Sequence, residues 1–472
     1  MNPRLLLALS LLGGCDTANV SQGGGDAASV LTDMATIDQA AVPPDLIKPQ
    51  DMAGVSDLAT KPSGDLAGLP ADFALAPADF ALPPADFALA PADFALLPAD
   101  QAVPPADFAV PPADQASPAD LASSPDLATR PNYLFVTSTT YKPGIFAAQQ
   151  GGALAYVDAQ CNARAQAANL PGKYVAWLST SQVAAISRLI NYRGWMRPDG
   201  LLVFNQASDI AAGKVLYPPR LNEFGADVAP SDAVTGTKED GTKAINNCND
   251  YSQTNATVAT GSPSAGRGDW TNAGSASCAN DTFRLYCFEV DFNLAPPLPS
   301  GFGRIAFLTK VDYNSTCSVQ TGLACGDSAC IAEASAANLP NPGTYKALLA
   351  SPSVAAASRF TMSVGALPWR RLDGVYVFAQ ATDLALGKLT APIDVSADGA
   401  YWGSTVVWSG SPNTNTVGMA DGTCNDWSTV STAVHGFMGV GTESHLTFFG
   451  SLNFPTPPGC SLKGRFYCLQ DE

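Results

Sequence analysis

Two stretches of alternating apolar and polar residues, 133–141 and 305–313, predict a β-strand at the start of each of two similar segments. An alanine-rich run follows each strand and predicts a helix, carrying Cys161 in the first segment and Cys330 in the second. The stretches 181–188 and 351–359 predict a second helix, with Ser351 suited to the N-cap and Pro352 to the first helical position. A long Gly-, Asn- and Asp-rich region with room for only short strands comes next. Each segment closes on a cysteine-bearing strand, 283–290 or 464–469. Strand, two helices, long loop region, terminal strand: this order predicts an α+β fold.

The two segments are copies of one unit. Ala167-Ala168-Asn169-Leu170-Pro171 recurs as Ala336-Ala337-Asn338-Leu339-Pro340, and Asp199-Gly200 before Val203-Phe204 recurs as Asp373-Gly374 before Val377-Phe378. Cys248-Asn249-Asp250-Tyr251-Ser252 recurs as Cys424-Asn425-Asp426-Trp427-Ser428, and Arg284-Leu285-Tyr286-Cys287 as Arg465-Phe466-Tyr467-Cys468. Copy one is expected over 131–291 and copy two over 303–472, with a Pro-rich linker at 292–302.

The first 130 residues follow different rules. An apolar run of eight residues, 5–12, follows Arg4. That is far short of the ~20 needed to span a bilayer as a helix and fits the core of a signal peptide, 1–14. Leu12-Gly13-Gly14-Cys15 resembles the lipobox of bacterial lipoproteins, which implies cleavage before Cys15, its acylation and attachment to membrane lipid. Asp16 favours inner-membrane retention in enteric lipoproteins, a rule other lineages do not follow reliably; the expected location is the cell envelope, at the outer membrane or cell surface. From Pro70 a seven-residue Pro-Ala-Asp-Phe-Ala-Leu-x unit recurs. Proline in every unit excludes a coiled coil at ~3 kcal/mol each. Residues 15–130 are therefore expected to form a disordered acidic tether, ~60 Å across as a coil and ~360 Å if fully polyproline-like.

Charge divides the same way. The net charge is −17, but residues 16–130 carry 17 Asp against only Lys48, Lys61 and Arg130. The remainder is nearly neutral, without the basic footprint of a nucleic-acid binder. Setting Cys15 aside leaves ten of the eleven cysteines, an even number suited to disulfides in an oxidising compartment. The copies align Cys161 with Cys330, Cys248 with Cys424, Cys278 with Cys460 and Cys287 with Cys468; Cys317 and Cys325 are extra and suggest a local clasp. Spacing alone leaves three pairings open for each set of four.

The four-cysteine order, the Cys-Asn-Asp-aromatic-Ser motif and the Arg-x-Tyr-Cys strand resemble the C-type-lectin-like fold, in the endostatin-like variety found in bacterial surface lipoproteins. The resemblance implies first-to-last and inner pairing: Cys161–Cys287 with Cys248–Cys278, and Cys330–Cys468 with Cys424–Cys460. It also implies a ligand-binding loop surface for glycan or envelope polysaccharide; the alternative reading is a protein-binding adhesin, with an extracellular protein as ligand, or a structural scaffold without a sugar site. Asn249, Asp250, Asn425 and Asp426 are the candidate ligand residues, and calcium at Asp250 and Asp426 the candidate cofactor, since oxygen ligands suit that ion. Both copies depart from the sugar-binding lectins in lacking a Glu-Pro-Asn or Gln-Pro-Asp triplet, and Asn and Asp also serve as turn residues.

Other groups read as structural. Asp199, Asp209 and Lys214, with Asp373, Asp383 and Lys388, suit turns and salt bridges, and Arg188 and Arg359 a helix C-terminus. Gly326-Asp327-Ser328 is similar to a serine-protease segment but lies in a helix pattern, and Arg267-Gly268-Asp269 is an isolated tripeptide in a loop. The histidines, His435 and His445, lie in copy two alone. No catalytic constellation is organised by these residues, so the chain is not expected to be an enzyme; carboxylate-only catalysis is the weakest of the three readings.

Overall fold

The computed structural model describes residues 130–316, 322–450 and 457–471. Cys15, the signal segment, the proline repeats and Cys317 lie outside the described residues.

The first repeat contains β1 (Asn132–Val136), helix α1 (Gly152–Ala167), β2 (Tyr174–Ala176), β3 (Arg193–Met196), β4 (Leu202–Gln206), β5 (Ala233–Val234), β6 (Thr257–Gly261), β7 (Gly274–Ser277) and β8 (Tyr286–Glu289). Five strands form a sheet in the order β2-β8-β1-β3-β4, with β1 and β3 parallel and the other neighbours antiparallel. A smaller antiparallel sheet, β5-β6-β7, carries the loop region.

The second repeat contains β9 (Arg304–Leu308), β10 (Tyr313–Asn314), helix α2 (Leu323–Ala336), β11 (Tyr345–Ala347), β12 (Trp369–Arg370), β13 (Tyr376–Phe378), β14 (Val406–Trp408), β15 (Met438–Val440), β16 (Lys463–Gly464) and β17 (Tyr467–Gln470). Its main sheet, β11-β17-β9-β12-β13, reproduces the order of the first, including the one parallel neighbour pair. In both repeats the first and last strands lie side by side at the centre, so everything between them loops out and returns. The fold is mixed α+β.

The sheets are held by the helices that the alanine runs predict. Ala153, Val157, Cys161 and Ala165 recur every fourth residue and form the buried stripe of α1. Small side chains there let the helix close on the sheet, and Cys161 bonds to Cys287 in β8. In α2, Cys330 bonds to Cys468 in β17. These bridges close separations of 126 and 138 residues, while Cys248–Cys278 and Cys424–Cys460 close 30 and 36. Loops of the longer class are associated with ~4–5 kcal/mol in the chain-entropy picture. Cys325 is also disulfide-bonded.

Two expectations are corrected. The second helix is reduced to single 3-10 turns, Ile186–Arg188 and Ala357–Arg359. Local hydrogen bonds compete with helix: the Thr180 and Ser351 hydroxyls accept the N–H of Val183 and Val354, each at 3.1 Å. The opening strands stop at Val136 and Leu308 rather than reaching Tyr141 and Tyr313. Their exposed-looking alternation misleads, because β9 is buried along its whole length between helix and loop region.

The repeats pack directly on one another. Gly266 N–H donates to the Thr442 carbonyl at 2.7 Å and Ser444 N–H to the Ser264 carbonyl at 3.0 Å, so equivalent loops from the two copies meet as a short antiparallel contact. Leu202, Leu216 and Tyr217 of the first repeat share an apolar cluster with Val375 and Ala391 of the second. At its edge the fully buried Arg371 donates to Asp394 at 2.6 Å, to Asp373 at 2.7 Å, and across the boundary to the carbonyls of Val215 and Leu216 at 3.0 and 3.1 Å. Loop surfaces expected to be free for ligand are thus partly used to join the copies.

Candidate functional site

The duplicated Cys-Asn-Asp-aromatic-Ser motif forms an unusual local structure. Cys248, Asn249, Asp250 and Tyr251 have φ of 55, 50, 55 and 63°, and Cys424, Asn425, Asp426 and Trp427 have 51, 54, 55 and 58°. Four consecutive non-glycine residues in the left-handed region make one left-handed helical turn, disfavoured by roughly 1–2 kcal/mol per residue. Asn and Asp at the middle positions are the residue types that tolerate it best.

Each end of the turn is anchored. The first residue is the inner-disulfide cysteine. The last is a fully buried aromatic: Tyr251 donates its hydroxyl to the carbonyls of Ser179 and Thr235 at 3.0 and 3.1 Å, and Trp427 donates its indole N–H to the Ala350 carbonyl at 2.9 Å. A glycine makes room in each case. A Cβ on Gly236 would stand 2.0 Å from the Tyr251 hydroxyl, and one on Gly410 2.7 Å from the Trp427 ring. Side chains cap the turn as well: Asn247 Oδ1 accepts from Asp250 N–H at 3.1 Å, and Thr423 Oγ1 from Asp426 N–H at 3.4 Å.

Between the anchors, Asn249 and Asn425 are exposed, each near the serine that ends the motif, with Nδ2 to Oγ at 3.5 and 3.2 Å. The carboxylates differ. Asp250 accepts from Ser181 N–H at 2.7 Å, from the Ser181 hydroxyl and from Asn247 Nδ2 at 2.6 Å. Burial would raise its pKa, but the bonds from Ser181 and Asn247 hold it below the ordinary value. In the second repeat the counterpart of Ser181 is Pro352, which has neither N–H nor hydroxyl. Asp426 is exposed, and among the described residues no donor reaches its carboxylate. A calcium ion collects six to eight oxygens. Asp250 has both oxygens committed and does not fit that demand as it stands; Asp426 has its carboxylate free, with Asn425 beside it.

Beside the Asn249 turn, the β6–β7 hairpin walls a cleft of about 730 Å³. Asn249, Asn246, Asn255, Asn280 and Ser275 line it, and the apolar side chain of Ile245 stands at its rim.

Most of the other sequence candidates have structural partners. Asp199 pairs with Arg197 at 2.6 Å, and Asp209 with Lys214 at 4.0 Å. Asp373 belongs to the Arg371 cluster, and Asp383 accepts from Gln380 N–H at 3.0 Å. Arg188 pairs with Asp158 and Arg359 with Asp327, each also donating to a strand carbonyl, so neither caps a long helix. Asp327 is thereby engaged, and Ser328 bonds back to the Cys325 carbonyl within α2. Arg267-Gly268-Asp269 is packed between the repeats: Arg267 donates to the Tyr401 carbonyl, and Asp269 accepts from the Thr442 hydroxyl at 2.5 Å. His435 meets Asp421 at 3.2 Å on the surface.

Buried charge at the repeat boundary escaped sequence reasoning. Partial burial lifts Asp269 to about 7, with Glu443 and Glu239 adding repulsion. No local pattern marks such positions, because partners come from the other copy.

No protein-family model matches the chain, and no curated protein matches it. Among the described residues no helix is long and apolar enough to cross a membrane.

Proposed function

We propose that this protein is an exported lipoprotein, tied to the cell envelope through acylated Cys15, whose tandem lectin-like repeats bind glycan or envelope polysaccharide. The observation that carries the reading is the strained left-handed turn, present in both repeats and displaying an asparagine amide at the surface. Strained backbone held by its surroundings clusters at functional sites, and an amide both donates to and accepts from sugar hydroxyls. The disulfides support an oxidising, extracytoplasmic setting. The central placement of the first and last strands, and the outer bridge tying a helix to the last of them, support the lectin-like assignment. Calcium enters this reading only through Asp426 and Asn425.

The experiment is a glycan array probed with the oxidised full-length protein, in calcium and in chelator. Glycan binding that weakens when Asn249 and Asn425 are both changed to alanine is the expected result. An array with no bound glycan under either condition overturns the reading in favour of a protein ligand. The lipid attachment is tested separately, by the mass of the mature N-terminal peptide of the wild type and of Cys15→Ser.

A further inference from the structure

The cleft of the first repeat carries a sharper statement about its ligand. Of the thirteen residues that line it, five are asparagine, four carry a hydroxyl and none is charged. The side chains of Asn246, Asn255 and Asn280 have no hydrogen-bond partner among the described residues, so their donors and acceptors are available to a ligand. A phosphate or carboxylate ligand would need cationic partners and an ammonium ligand would need carboxylates; this lining offers neither. Amides and hydroxyls, which donate and accept alike, match a neutral polyol. Ile245, 84% exposed at the rim, adds an apolar platform of the kind the C–H face of a pyranose ring can cover. The volume lies in the range of small-molecule sites.

The second repeat keeps Asn425 opposite Asn249 but differs at three neighbouring positions. Ile245, Asn246 and Asn247 are replaced by Asp421, Gly422 and Thr423, and Asp421 is paired with His435. We propose that the cleft of the first repeat binds a neutral glycan directly through its amides, without a divalent cation. This rests on the glycan reading above and narrows it to one repeat, one ligand class and one mode of contact.

The test titrates the oxidised full-length chain with three neutral probes, a linear glucan oligosaccharide, a galactan oligosaccharide and an N-acetylglucosamine oligomer, each in calcium and in chelator. The measurements are repeated with Asn255→Ala/Asn280→Ala and with Ile245→Asp. These side chains are exposed, and thermal melts verify that the variants fold. The expected result is binding of at least one probe at equal strength in chelator, weakened about tenfold by the double alanine variant, as two lost hydrogen bonds predict. Binding of a probe that the folded cleft variants leave unchanged overturns the cleft assignment while the glycan reading stands. Binding abolished by chelator overturns the cation-free mode in the same way. No binding of these probes, with charged glycans bound on the array, overturns the neutral class alone; no glycan bound anywhere overturns both.

Discussion

The same five-residue motif makes the same left-handed turn twice, yet only the first copy clamps its carboxylate. Asp250 holds Ser181 and Asn247; Asp426 faces solvent, because Pro352 stands where Ser181 would be and Thr423 where Asn247 would be. The turns therefore share backbone and anchors while differing in what they can offer a ligand. A similar divergence runs along the repeat boundary. After the matched Lys214 and Lys388, Pro218-Pro219-Arg220 aligns with Pro392-Ile393-Asp394. Arg220 pairs with Asp227 and reaches the Leu389 carbonyl of the other copy, whereas Asp394 is buried on Arg371 and accepts the N–H of Arg267. Duplication preserved the framework, and single substitutions made the copies complementary rather than identical.

The largest expected contrast is between the aligned arginines. Arg371→Ala leaves Asp394 buried without its cation and is expected to destabilise by about 3–5 kcal/mol. Arg197→Ala faces a half-exposed Asp199 and should cost about 1 kcal/mol. Urea denaturation of both variants measures the difference, and equal losses would show that the boundary cluster is no more buried in effect than its counterpart.

The anchors come next. Gly236→Ala and Gly410→Ala drive a methyl against Tyr251 or Trp427 and add left-handed strain at φ of 54 and 78°. Each is expected to lose about 2 kcal/mol or more, with the larger loss at Gly236, where the contact is closer. Thermal melts that leave both unchanged would mean the aromatic anchors do not hold the turns.

A smaller contrast separates the carboxylates. Asp250→Ala removes the acceptor for Ser181 and Asn247 and should cost about 1–2 kcal/mol, while Asp426→Ala should be within about 0.5 kcal/mol of wild type. Grafting the clamp, by Pro352→Ser with Thr423→Asn, is expected to make the second turn respond to Asp426→Ala as the first does to Asp250→Ala.

The smallest effect is a pH slope. Asp269 has a pKa raised by burial from 3.8 to about 7. Between pH 4 and 7 the folded protein holds a proton that the unfolded chain has released, so unfolding releases it and stability falls as pH rises. Its contribution is present in full below pH 4 and is lost as pH rises to about 7. Asp269→Asn should flatten the slope of melting temperature against pH by about 3 °C over that interval.

Several elements were legible in the chain itself. The alanine runs around Cys161 and Cys330 predict α1 and α2, since small residues every fourth position leave few alternatives to a helix pressed on a sheet. The closing strands and the α+β class were legible from the same periodicities. The segments 181–188 and 351–359 misled because a helical apolar spacing hides the hydroxyl-to-backbone bonds of Thr180 and Ser351. At the candidate site, Asn249, Asp250, Asn425 and Asp426 could be singled out by repetition, but their left-handed backbone could not, because Cys248 and Tyr251 impose it from partners distant in sequence.

What the sequence alone determined is therefore local or periodic: two copies, one helix stripe in each, the terminal strands, and a motif retained in both. The tertiary structure decided which residues share a surface. It brought Ser264, Gly266 and Asp269 of one copy against Thr442 and Ser444 of the other, and drew Asn255 and Asn280 beside Asn249 in one cleft. Those juxtapositions depend on disulfides and buried aromatics that fold the chain back on itself, and a linear pattern carries no record of such distances.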